Sequence, residues 1–512
     1  MQSKKWLQNL DWYLIGAVCI LAVFGIICIA SALHFNLGEG TSEVYKQIVF
    51  FVIGLGLMVV AANVDYEYFS QYYIPIYFIN IVLLLAVFVL GNESKGATRW
   101  IAIGPLTIQP SEFAKVMMIF FLAKFISLHQ SKMTRLDFFL KLCVISGIPI
   151  LLVLKQPALS ASLVLVAIFC ILVFVAGIDI IWVRNVAIVA VPLIAFILFD
   201  VSRENPLIMD KIFEPHQFNR ILSFVDPTAN PDLYYQTEKS INAIGSGQLT
   251  GKGLFQGTLN QLSYLPEPHN DFIFSVIGEE FGFLGCIFTL GLLLFVVFRC
   301  IIIALSTRDT FSQLIVVGVA GMFAFQTFVN AGVATGIVPN TGMSLPFVSY
   351  GGSSMWTNMV ALGLVLNIRK KRNQIIIRGG FIMNIALIAD DNKKKLMENL
   401  CIAYRHILCK HELYATATTG RLVGEAANLN VHKYLAGQLG GSEQLGAQII
   451  NNDLDMMIFL RDPASHQSYE EYSNLFRLCD THNIPAATNL ATAEVLLLAL
   501  DRGDLDWRNV VR

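Results

Sequence analysis

Charged side chains stand at the ends of two apolar segments in the first 370 residues of this 512-residue chain. Asp271 follows His269 where one segment begins, and Glu112 and Lys115 lie three residues apart where another begins. Ionisable groups beside or inside membrane segments are costly and usually functional. A carboxylate at the membrane surface can serve as a general base, so Asp271 is a candidate for proton abstraction.

Each of these groups also has a purely structural interpretation. Glu112 and Lys115 share one helix face and can form a buried ion pair without a chemical role. Asp271 can stabilise a helix N-terminus through its charge and its side-chain oxygens. A third polar stretch is NAGVATGIVPNTGMSLPFVSYGGSS at 330–354, and its glycine and proline runs at 338–352 can be a re-entrant turn and nothing more. The residue types alone leave these alternatives open.

A glycine-rich stretch near the end of the chain, LAGQLGGSEQLG at 435–446, points to a different chemistry. Its pattern is typical of a turn between a strand and a helix, where backbone amides can hold a phosphate. A phosphate-handling enzyme needs an acid or a base at such a turn. The glycines are followed by Ser442, whose hydroxyl has too high a pKa to act as a base without help.

About ten apolar segments must position the charged groups of the first part of the chain. Each is long enough to cross a bilayer as a helix, which takes about 17–25 residues. Short polar connections separate most of them, but the long polar stretch 201–270 separates the seventh from the eighth. The predicted segments are 12–33, 47–64, 72–91, 113–130, 138–154, 159–177, 182–200, 272–299, 313–337 and 351–368.

The distribution of basic residues predicts the orientation of these segments, because cytoplasmic connections are rich in Lys and Arg. The residues that support it are Lys4, Lys5, Lys132, Arg135 and the run 369–372. An even number of segments then places both termini in the cytoplasm and 201–270 outside. Lys95 and Arg99 also fall outside, against the rule, which suggests a functional role for them.

After residue 372 the sequence alternates between strand-like and helix-like pieces. The strand-like pieces are 383–390, 413–420, 456–463 and 484–489, and the helix-like pieces are 393–408 and 491–503. Such alternation predicts a parallel α/β sheet. The predicted fold is therefore a multi-pass α-helical membrane protein followed by a soluble α/β domain. We expect a membrane domain at 1–372, a short linker at 373–382 and a cytoplasmic domain at 383–512.

Composition agrees with a membrane protein, since 55% of the residues are hydrophobic and only 14% are charged, against about 25% in soluble domains. The net charge of −1 gives no indication of a nucleic-acid partner. The nine cysteines form neither a disulfide framework nor a CxxC metal pattern, and no metal ligand is assigned from them.

The blocks QPSEFAK, HNDFIF and LPFVSYGGSS together resemble the signatures of the SEDS family, which comprises RodA, FtsW and SpoVE. The similarity covers nearly all of residues 10–370, and the block around TGMSLPFVSYGGSS looks more like RodA. The resemblance implies a ten-span peptidoglycan glycosyltransferase of the bacterial cytoplasmic membrane. It would polymerise lipid II during cell elongation and shape maintenance, beside a class B penicillin-binding protein and other membrane proteins of the elongation complex.

The resemblance also implies roles for individual residues. Asp271 matches the essential aspartate of the family, as general base on the acceptor sugar or as organiser of a divalent cation. Trp100, Glu112 and Lys115 match positions important for activity. Arg99 is a candidate contact for the diphosphate of the leaving lipid. A lipid II flippase is the alternative, but it would need polar groups through the membrane midplane, whereas these residues cluster toward the outer face.

The C-terminal blocks IALIADDNKKK, LYATATTG, LAGQLGGSEQLGA, IFLRDP and IPAATNLATAE resemble the methylglyoxal synthase family, in order and spacing, from residue 383 to about 508. That family converts dihydroxyacetone phosphate to methylglyoxal and phosphate on a Rossmann-like fold. The resemblance implies a phosphate site. Its residues are Lys394, Thr416, Thr418, Thr419 and Gly437.

The catalytic residues of that family are not conserved in this chain. Ser442 stands where the family has its catalytic aspartate, and Asp390 stands where it has a histidine, while Asp391 is kept. The stretch 468–472 lacks a second histidine, and Ala436 replaces a serine of the phosphate loop. General acid–base groups are worth about 10²–10⁴-fold each. We therefore expect a pseudoenzyme that binds a small phosphorylated effector; residual synthase activity and loss of all binding are the alternatives.

Overall fold

The chain folds into two compact units, Met1–Lys370 and Lys371–Arg512, in a computed structural model. Each unit has its own hydrophobic core. The structure describes residues 10–34, 40–94, 97–104, 106–201, 203, 215–226, 228, 231–262, 264–265, 267–307, 309–378, 382–435, 440–462, 469–502, 504–505 and 507–508.

A helix covers each of the ten predicted apolar segments of the first unit. Six of the described helices are long and apolar enough to cross a membrane, and a seventh apolar helix is slightly shorter. The multi-pass helical fold is thus confirmed, while the number of spans stays a prediction. The ten helices are α1 Trp12–Ala32, α2 Thr41–Asn63, α4 Tyr73–Leu90, α5 Pro110–Leu128, α6 Leu136–Lys155, α7 Leu159–Val175, α8 Ile180–Val201, α12 Ile273–Leu305, α13 Thr310–Ala334 and α14 Gly352–Arg378, with the short helix α3 Tyr66–Ser70 between α2 and α4.

At two of these helix starts, a side chain satisfies a backbone amide that has no intrahelical partner. The carboxylate of Asp11 accepts a hydrogen bond from the Leu14 amide at the start of α1, and Asp309 does the same for the Ser312 amide at the start of α13. Pro149 inside α6 has no amide to donate to the Ile145 carbonyl. The Tyr77 hydroxyl donates to that carbonyl at 2.8 Å instead. Such compensation allows a proline within an apolar helix.

The stretch between α8 and α12 contains three helices where the sequence indicated only a polar loop. They are α9 Pro215–Val225, α10 Pro231–Ser246 and the single turn α11 Thr258–Gln261. A small antiparallel sheet precedes α5, with strands β1 Asn92–Ser94, β2 Ala97–Ile103 and β3 Leu106–Ile108. Strand β2 carries Arg99 and helix α9 carries Arg220, the two arginines of the candidate site.

The segment after α10 packs into a break in α12. Gly282 interrupts that helix with φ +65, and the amides of Phe283 and Leu284 donate to the carbonyls of Gln248 and Leu249. The buried carboxylate of Glu279 accepts hydrogen bonds from the amides of Leu259 and Asn260 and from the Lys252 ammonium. It thereby caps α11 and fixes the loop that leads toward Asp271.

The second unit contains a five-stranded parallel sheet in the order β6-β5-β4-β7-β8, which confirms the predicted α/β class. Apolar side chains fill both faces of the sheet. Helix α14 continues to Arg378, so the first part of the expected linker is helical. The elements are β4 Asn384–Ala389, α15 Lys394–Ala403, α16 Arg405–Leu408, β5 Glu412–Thr416, α17 Ala417–Ala427, β6 Val431–Tyr434, α18 Gly441–Ile450, β7 Met456–Leu460, α19 Tyr469–Thr481, β8 Ala486–Ala487 and α20 Leu490–Arg502.

Candidate functional site

Asp271 lies in the turn that leads into α12, and the loop between α13 and α14 packs against this turn. The amide of Tyr350 donates to the His269 carbonyl at 3.0 Å, and the Ser349 hydroxyl donates to the Asn270 carbonyl at 2.7 Å. The rings of His269 and Tyr350 meet edge to face, with centroids 5.5 Å apart. The block LPFVSYGGSS and the block HNDFIF, far apart in the sequence, therefore form one structure around Asp271.

Two arginines from different elements share the electrostatic environment of Asp271. Arg99 comes from β2 and Arg220 from α9, and burial lowers the pKa of both guanidinium groups. The charge of Arg220 lowers the pKa of Arg99 further, whereas the Asp271 carboxylate opposes the lowering of both pKa values. The cluster thus holds two cations and one carboxylate, and burial weakens the screening between them.

Gly342 allows the loop to approach this cluster closely. A Cβ atom at this position would lie 3.2 Å from Oδ2 of Asp271 and 3.4 Å from Nη1 of Arg220, so both groups touch the same point of the backbone. The backbone here has φ +70, a conformation that favours glycine. Arg220 also donates to the Asn340 carbonyl at 3.4 Å, which ties α9 to the loop.

The arginines leave hydrogen-bonding capacity for an anion. Nε of Arg99 is buried and has no hydrogen-bond partner among the described residues. This donor is therefore available to an anion that supplies the acceptor. With two guanidinium groups around one carboxylate, the cluster favours a phosphate or diphosphate.

Sequence reasoning singled out Asp271 and Arg99 but missed Arg220. The reason is that 201–270 was interpreted as an irregular loop, and only the fold of α9 brings Arg220 to Asp271. One signal was present in the sequence. Arg220 lies on the predicted outer side, against the distribution of basic residues, as does Arg99.

The other predicted residues of the membrane half, Trp100, Glu112 and Lys115, lie on β2 and at the start of α5. Trp100 follows Arg99 on β2, and neighbouring side chains on a strand point to opposite faces. Lys115 donates to Glu112 at 2.7 Å, and the pair is almost fully buried. The pair begins α5 directly after Gln109, whose amide donates to the Ser353 hydroxyl at 3.0 Å. This bond connects the start of α5 to the glycine-serine block at the start of α14.

The donor set at Asp271 does not fit a divalent cation well. Such ions need several oxygen ligands, whereas Asp271 is accompanied by two guanidinium groups. Among the described residues, no three His, Cys, Asp or Glu side chains are grouped to hold a metal ion.

In the second unit, the predicted phosphate-site residues gather at the carboxyl edge of the sheet. Thr416 ends β5 and its hydroxyl donates to Thr419 at 3.3 Å, within the first turn of α17. Thr416 does not cap the helix with its side chain. The first-turn amides of α17 can therefore donate hydrogen bonds to a phosphate. The Thr418 side chain is exposed beside them. The threonine stretch predicted as a turn is thus the start of a helix.

Lys394 begins α15 at the same edge and pairs with Asp391 at 2.5 Å. The Asp390 carboxylate accepts a hydrogen bond from the Asp462 amide at 2.7 Å, so it serves to hold the end of β7. Ser442 lies in the first turn of α18, after Gly440 with φ +97. Gly437 lies outside the described residues.

Family models match both parts of the chain. Residues 11–374 match the model of the FtsW, RodA and SpoVE cell cycle proteins, and residues 397–488 match the model of the MGS-like domain.

Individual relatives match the first part. A protein of Trichlorobacter lovleyi named probable peptidoglycan glycosyltransferase FtsW is 35% identical over 71% of this chain and 93% of its own length. Stage V sporulation protein E of Bacillus subtilis is 35% identical over 72% of this chain and 99% of its own length.

Solved structures match the same region. One is a chain from work on a peptidoglycan synthase complex that coordinates polymerization and crosslinking. It aligns with a TM-score of 0.60 and 30% identity over 71% of this chain and 99% of its own. The rod shape determining protein RodA of Thermus thermophilus aligns with a TM-score of 0.51 and 28% identity over 71% of this chain and 97% of its own.

Proposed function

The chain belongs to the FtsW, RodA and SpoVE family of cell cycle proteins, and on that premise we propose that its membrane half is a peptidoglycan glycosyltransferase. The SEDS resemblance and the MGS-like domain predicted from the sequence are both confirmed. The observation that carries the proposal is the cluster of Asp271 with Arg99 and Arg220 inside the matched region. It combines a base with two cations, as glycosyl transfer from a diphosphate requires.

In the proposed reaction, the Asp271 carboxylate takes the proton of the acceptor sugar 4-hydroxyl while that oxygen attacks C1 of the donor sugar. The bond from C1 to the phosphate oxygen breaks, and the lipid diphosphate leaves with the electron pair. Arg99 and Arg220 stabilise the negative charge of the departing diphosphate. Because this leaving group is already stable as an anion, catalysis depends mainly on the position of the acceptor and of the two arginines.

The remaining candidates act through position in this proposal. The buried Glu112–Lys115 pair fixes the start of α5 next to the block that begins α14. Trp100 is proposed to position the strand that carries Arg99, its neighbour in the sequence. We keep the boundaries 1–372, 373–382 and 383–512 as the proposed division of the chain.

The proposed substrate is lipid II, and the proposed partner is a class B penicillin-binding protein that makes the crosslinks. The similarity to a chain from a complex that coordinates polymerization and crosslinking supports this pairing. The chain is an integral membrane protein. We place it in the bacterial cytoplasmic membrane, with both termini and the C-terminal domain in the cytoplasm, because the basic residues favour that orientation.

The predicted role in elongation remains a proposal. Among the relatives, the names FtsW and stage V sporulation protein E occur at 35% identity, and RodA occurs among the solved structures at 28%. Complementation separates the roles: a protein of elongation restores rod shape after depletion of the host elongation polymerase. Rescue of septation instead would assign it to division.

Polymerisation of purified lipid II by the purified chain tests the activity. We expect glycan strands from the parent protein and none from the Asp271→Asn variant, which keeps the shape of the side chain without its basicity. Asp226→Asn is a matched control, because Asp226 is also acidic and lies in the same predicted outer region, where it accepts hydrogen bonds from the amide and hydroxyl of Thr228. Equal polymerisation by Asp271→Asn and the parent would refute the assignment of the base.

For the C-terminal domain, we propose binding of a phosphorylated metabolite without turnover. The uncapped start of α17, with Lys394 at the same sheet edge, supports binding. The engagement of Asp390 with the Asp462 amide and the serine at 442 support the loss of catalysis. Calorimetry with dihydroxyacetone phosphate tests binding, and an assay for methylglyoxal release tests turnover. Release of methylglyoxal would replace this proposal with a bifunctional enzyme.

A further inference from the structure

The backbone of the turn at Asp271 is held by three successive hydrogen bonds. The carbonyls of His269, Asn270 and Asp271 accept, in order, from the Tyr350 amide, the Ser349 hydroxyl and the Asn330 amide nitrogen. The three distances are 3.0, 2.7 and 3.0 Å. These three hydrogen bonds to adjacent carbonyls restrict rotation of the peptide planes in the turn.

Asn330 makes the bond that is closest to the candidate base. It lies near the end of α13 and is 1% exposed. Its Nδ2 donates both to the Asp271 carbonyl and, at 2.6 Å, to the Met343 carbonyl. One amide group therefore clamps the turn of Asp271 to the loop that carries Gly342.

The clamp sets the position of the reacting groups relative to each other. Gly342 is next to Met343, and a Cβ atom at Gly342 would lie within 3.4 Å of both Oδ2 of Asp271 and Nη1 of Arg220. A shift of the loop at residue 343 therefore changes the distance between the base and the arginine. Errors of about 1 Å in such positions can reduce rates by about 100-fold.

The side chain of Asn330 is used for donation alone. Its Oδ1 is buried and has no hydrogen-bond partner among the described residues. A buried amide with an unsatisfied oxygen costs stability, so packing by itself does not explain this residue. The two hydrogen bonds that Nδ2 of Asn330 donates to the Asp271 and Met343 carbonyls explain why an asparagine stands at this position.

We propose that Asn330 is a positioning residue for glycosyl transfer, and that it acts by fixing the Asp271 turn to the Gly342 loop. This inference rests on the proposed function of the membrane half. The clamp binds no substrate itself. It determines the geometry in which Asp271 and Arg220 meet the substrate.

The substitution Asn330→Asp tests the clamp, because it keeps the size of the side chain and replaces the donor with an acceptor. We expect kcat for lipid II polymerisation by the full chain to fall about 10–100-fold with KM nearly unchanged, since the substrate contacts remain. Hydrogen exchange at the Tyr350 amide should accelerate, because release of the turn and the loop weakens its bond to the His269 carbonyl. Ser349→Ala removes the neighbouring bond and should lower kcat in the same way, which tests the clamp if Asn330→Asp fails to fold.

Asn367→Asp is the matched control. Asn367 is also a buried asparagine whose Nδ2 donates to two carbonyls, those of Ala61 and Val64, but it lies about 22 Å along α14 from Gly352. The control should lower thermal stability without reducing kcat. If Asn330→Asp and Ser349→Ala both polymerise at the parental kcat, the clamp is refuted and the proposed function stands. If the parent itself does not polymerise lipid II, the proposed function is refuted and the catalytic role of the clamp with it.

Discussion

Gly342 shows how much of the candidate site depends on single positions. Alanine at this position places a methyl group between Asp271 and Arg220, at the distances of 3.2 and 3.4 Å given above, and strains a backbone with φ +70 by about 1–2 kcal/mol. We expect Gly342→Ala to reduce polymerisation by about 100-fold. Steady-state polymerisation of lipid II measures this.

A matched variant separates the effect of backbone strain from the effect of a steric clash with Asp271 and Arg220. Gly177 has φ +84 and no atom within 4 Å of the position of its Cβ. Gly177→Ala therefore introduces similar strain without a steric contact, and should lower the melting temperature but keep activity. Equal activity of Gly342→Ala and Gly177→Ala would contradict the close approach of the loop to Asp271.

Arg220 is the residue whose role the sequence did not reveal. A charge-assisted hydrogen bond to a diphosphate is worth about 1.5–3 kcal/mol, which corresponds to about 10–100-fold in kcat/KM. We expect this loss in Arg220→Ala and a smaller loss in Arg220→Lys, which keeps the charge without the planar fork. Arg203→Ala is the control, since Arg203 is exposed and lies over the Phe199 ring. If Arg220→Ala has the same kcat/KM as the parent, Arg220 has no role in the reaction.

At the scale of elements, the sequence predicted the long pieces well. Apolar runs such as 12–33 became helices because a lipid-facing segment must satisfy its backbone internally. The buried strands at 383–390 and 456–463 were equally clear, since both faces of their sheet are covered. Helix α9 was not predicted, although Phe218, Ile221, Leu222 and Val225 follow the spacing of an amphipathic helix. With 11 residues it is too short to stand out as a membrane segment. The cluster at Asp271 needs contacts between residues more than 50 positions apart, and local patterns contain no information about such contacts.

His411 connects two elements of the C-terminal domain and makes its stability depend on pH. The Met383 amide, just before β4, donates to Nδ1 of His411, just before β5. Burial lowers the pKa of His411 to about 4, from 6.5 when unfolded, with a further lowering by Lys410 and an opposing effect of Asp501. The unfolded chain therefore binds more protons between these two values. The contribution to stability is complete above pH 6.5 and is lost as the pH falls toward 4.

We expect the C-terminal domain to lose up to about 2 kcal/mol of its free energy of unfolding between pH 7 and pH 5 through His411. His411→Asn keeps an acceptor for the Met383 amide and removes the titrating group, so its stability should change less over this range. Urea unfolding followed by the fluorescence of Trp507, the single tryptophan of residues 383–512, measures both. The exposed His432 provides the control His432→Asn; an identical pH dependence in both variants would contradict the prediction.

At the scale of the whole molecule, the chain consists of two units that are each complete in their apolar cores. The C-terminal unit fills both faces of its sheet from its own helices. Arg508 is fully buried and donates to the His482 carbonyl and to the Leu454 carbonyl, so the end of the chain is tied to the same unit. Residues 382–512 expressed alone should therefore unfold cooperatively, with the same denaturant midpoint as in the full chain.

Ligand binding at the start of α17 should therefore raise the free energy of unfolding of isolated residues 382–512. A ligand that binds only the folded state stabilises it by RT ln(1 + [L]/Kd), which is about 2.7 kcal/mol at 100 times Kd. We expect dihydroxyacetone phosphate to raise the denaturant midpoint of residues 382–512, and Thr419→Val to abolish the shift because the buried hydroxyl that meets Thr416 is lost. Thr481→Val removes an exposed hydroxyl that bonds only to the Arg477 carbonyl at the end of α19, and should keep the shift. A midpoint that does not move at millimolar ligand would show that the domain has lost phosphate binding together with its catalytic base.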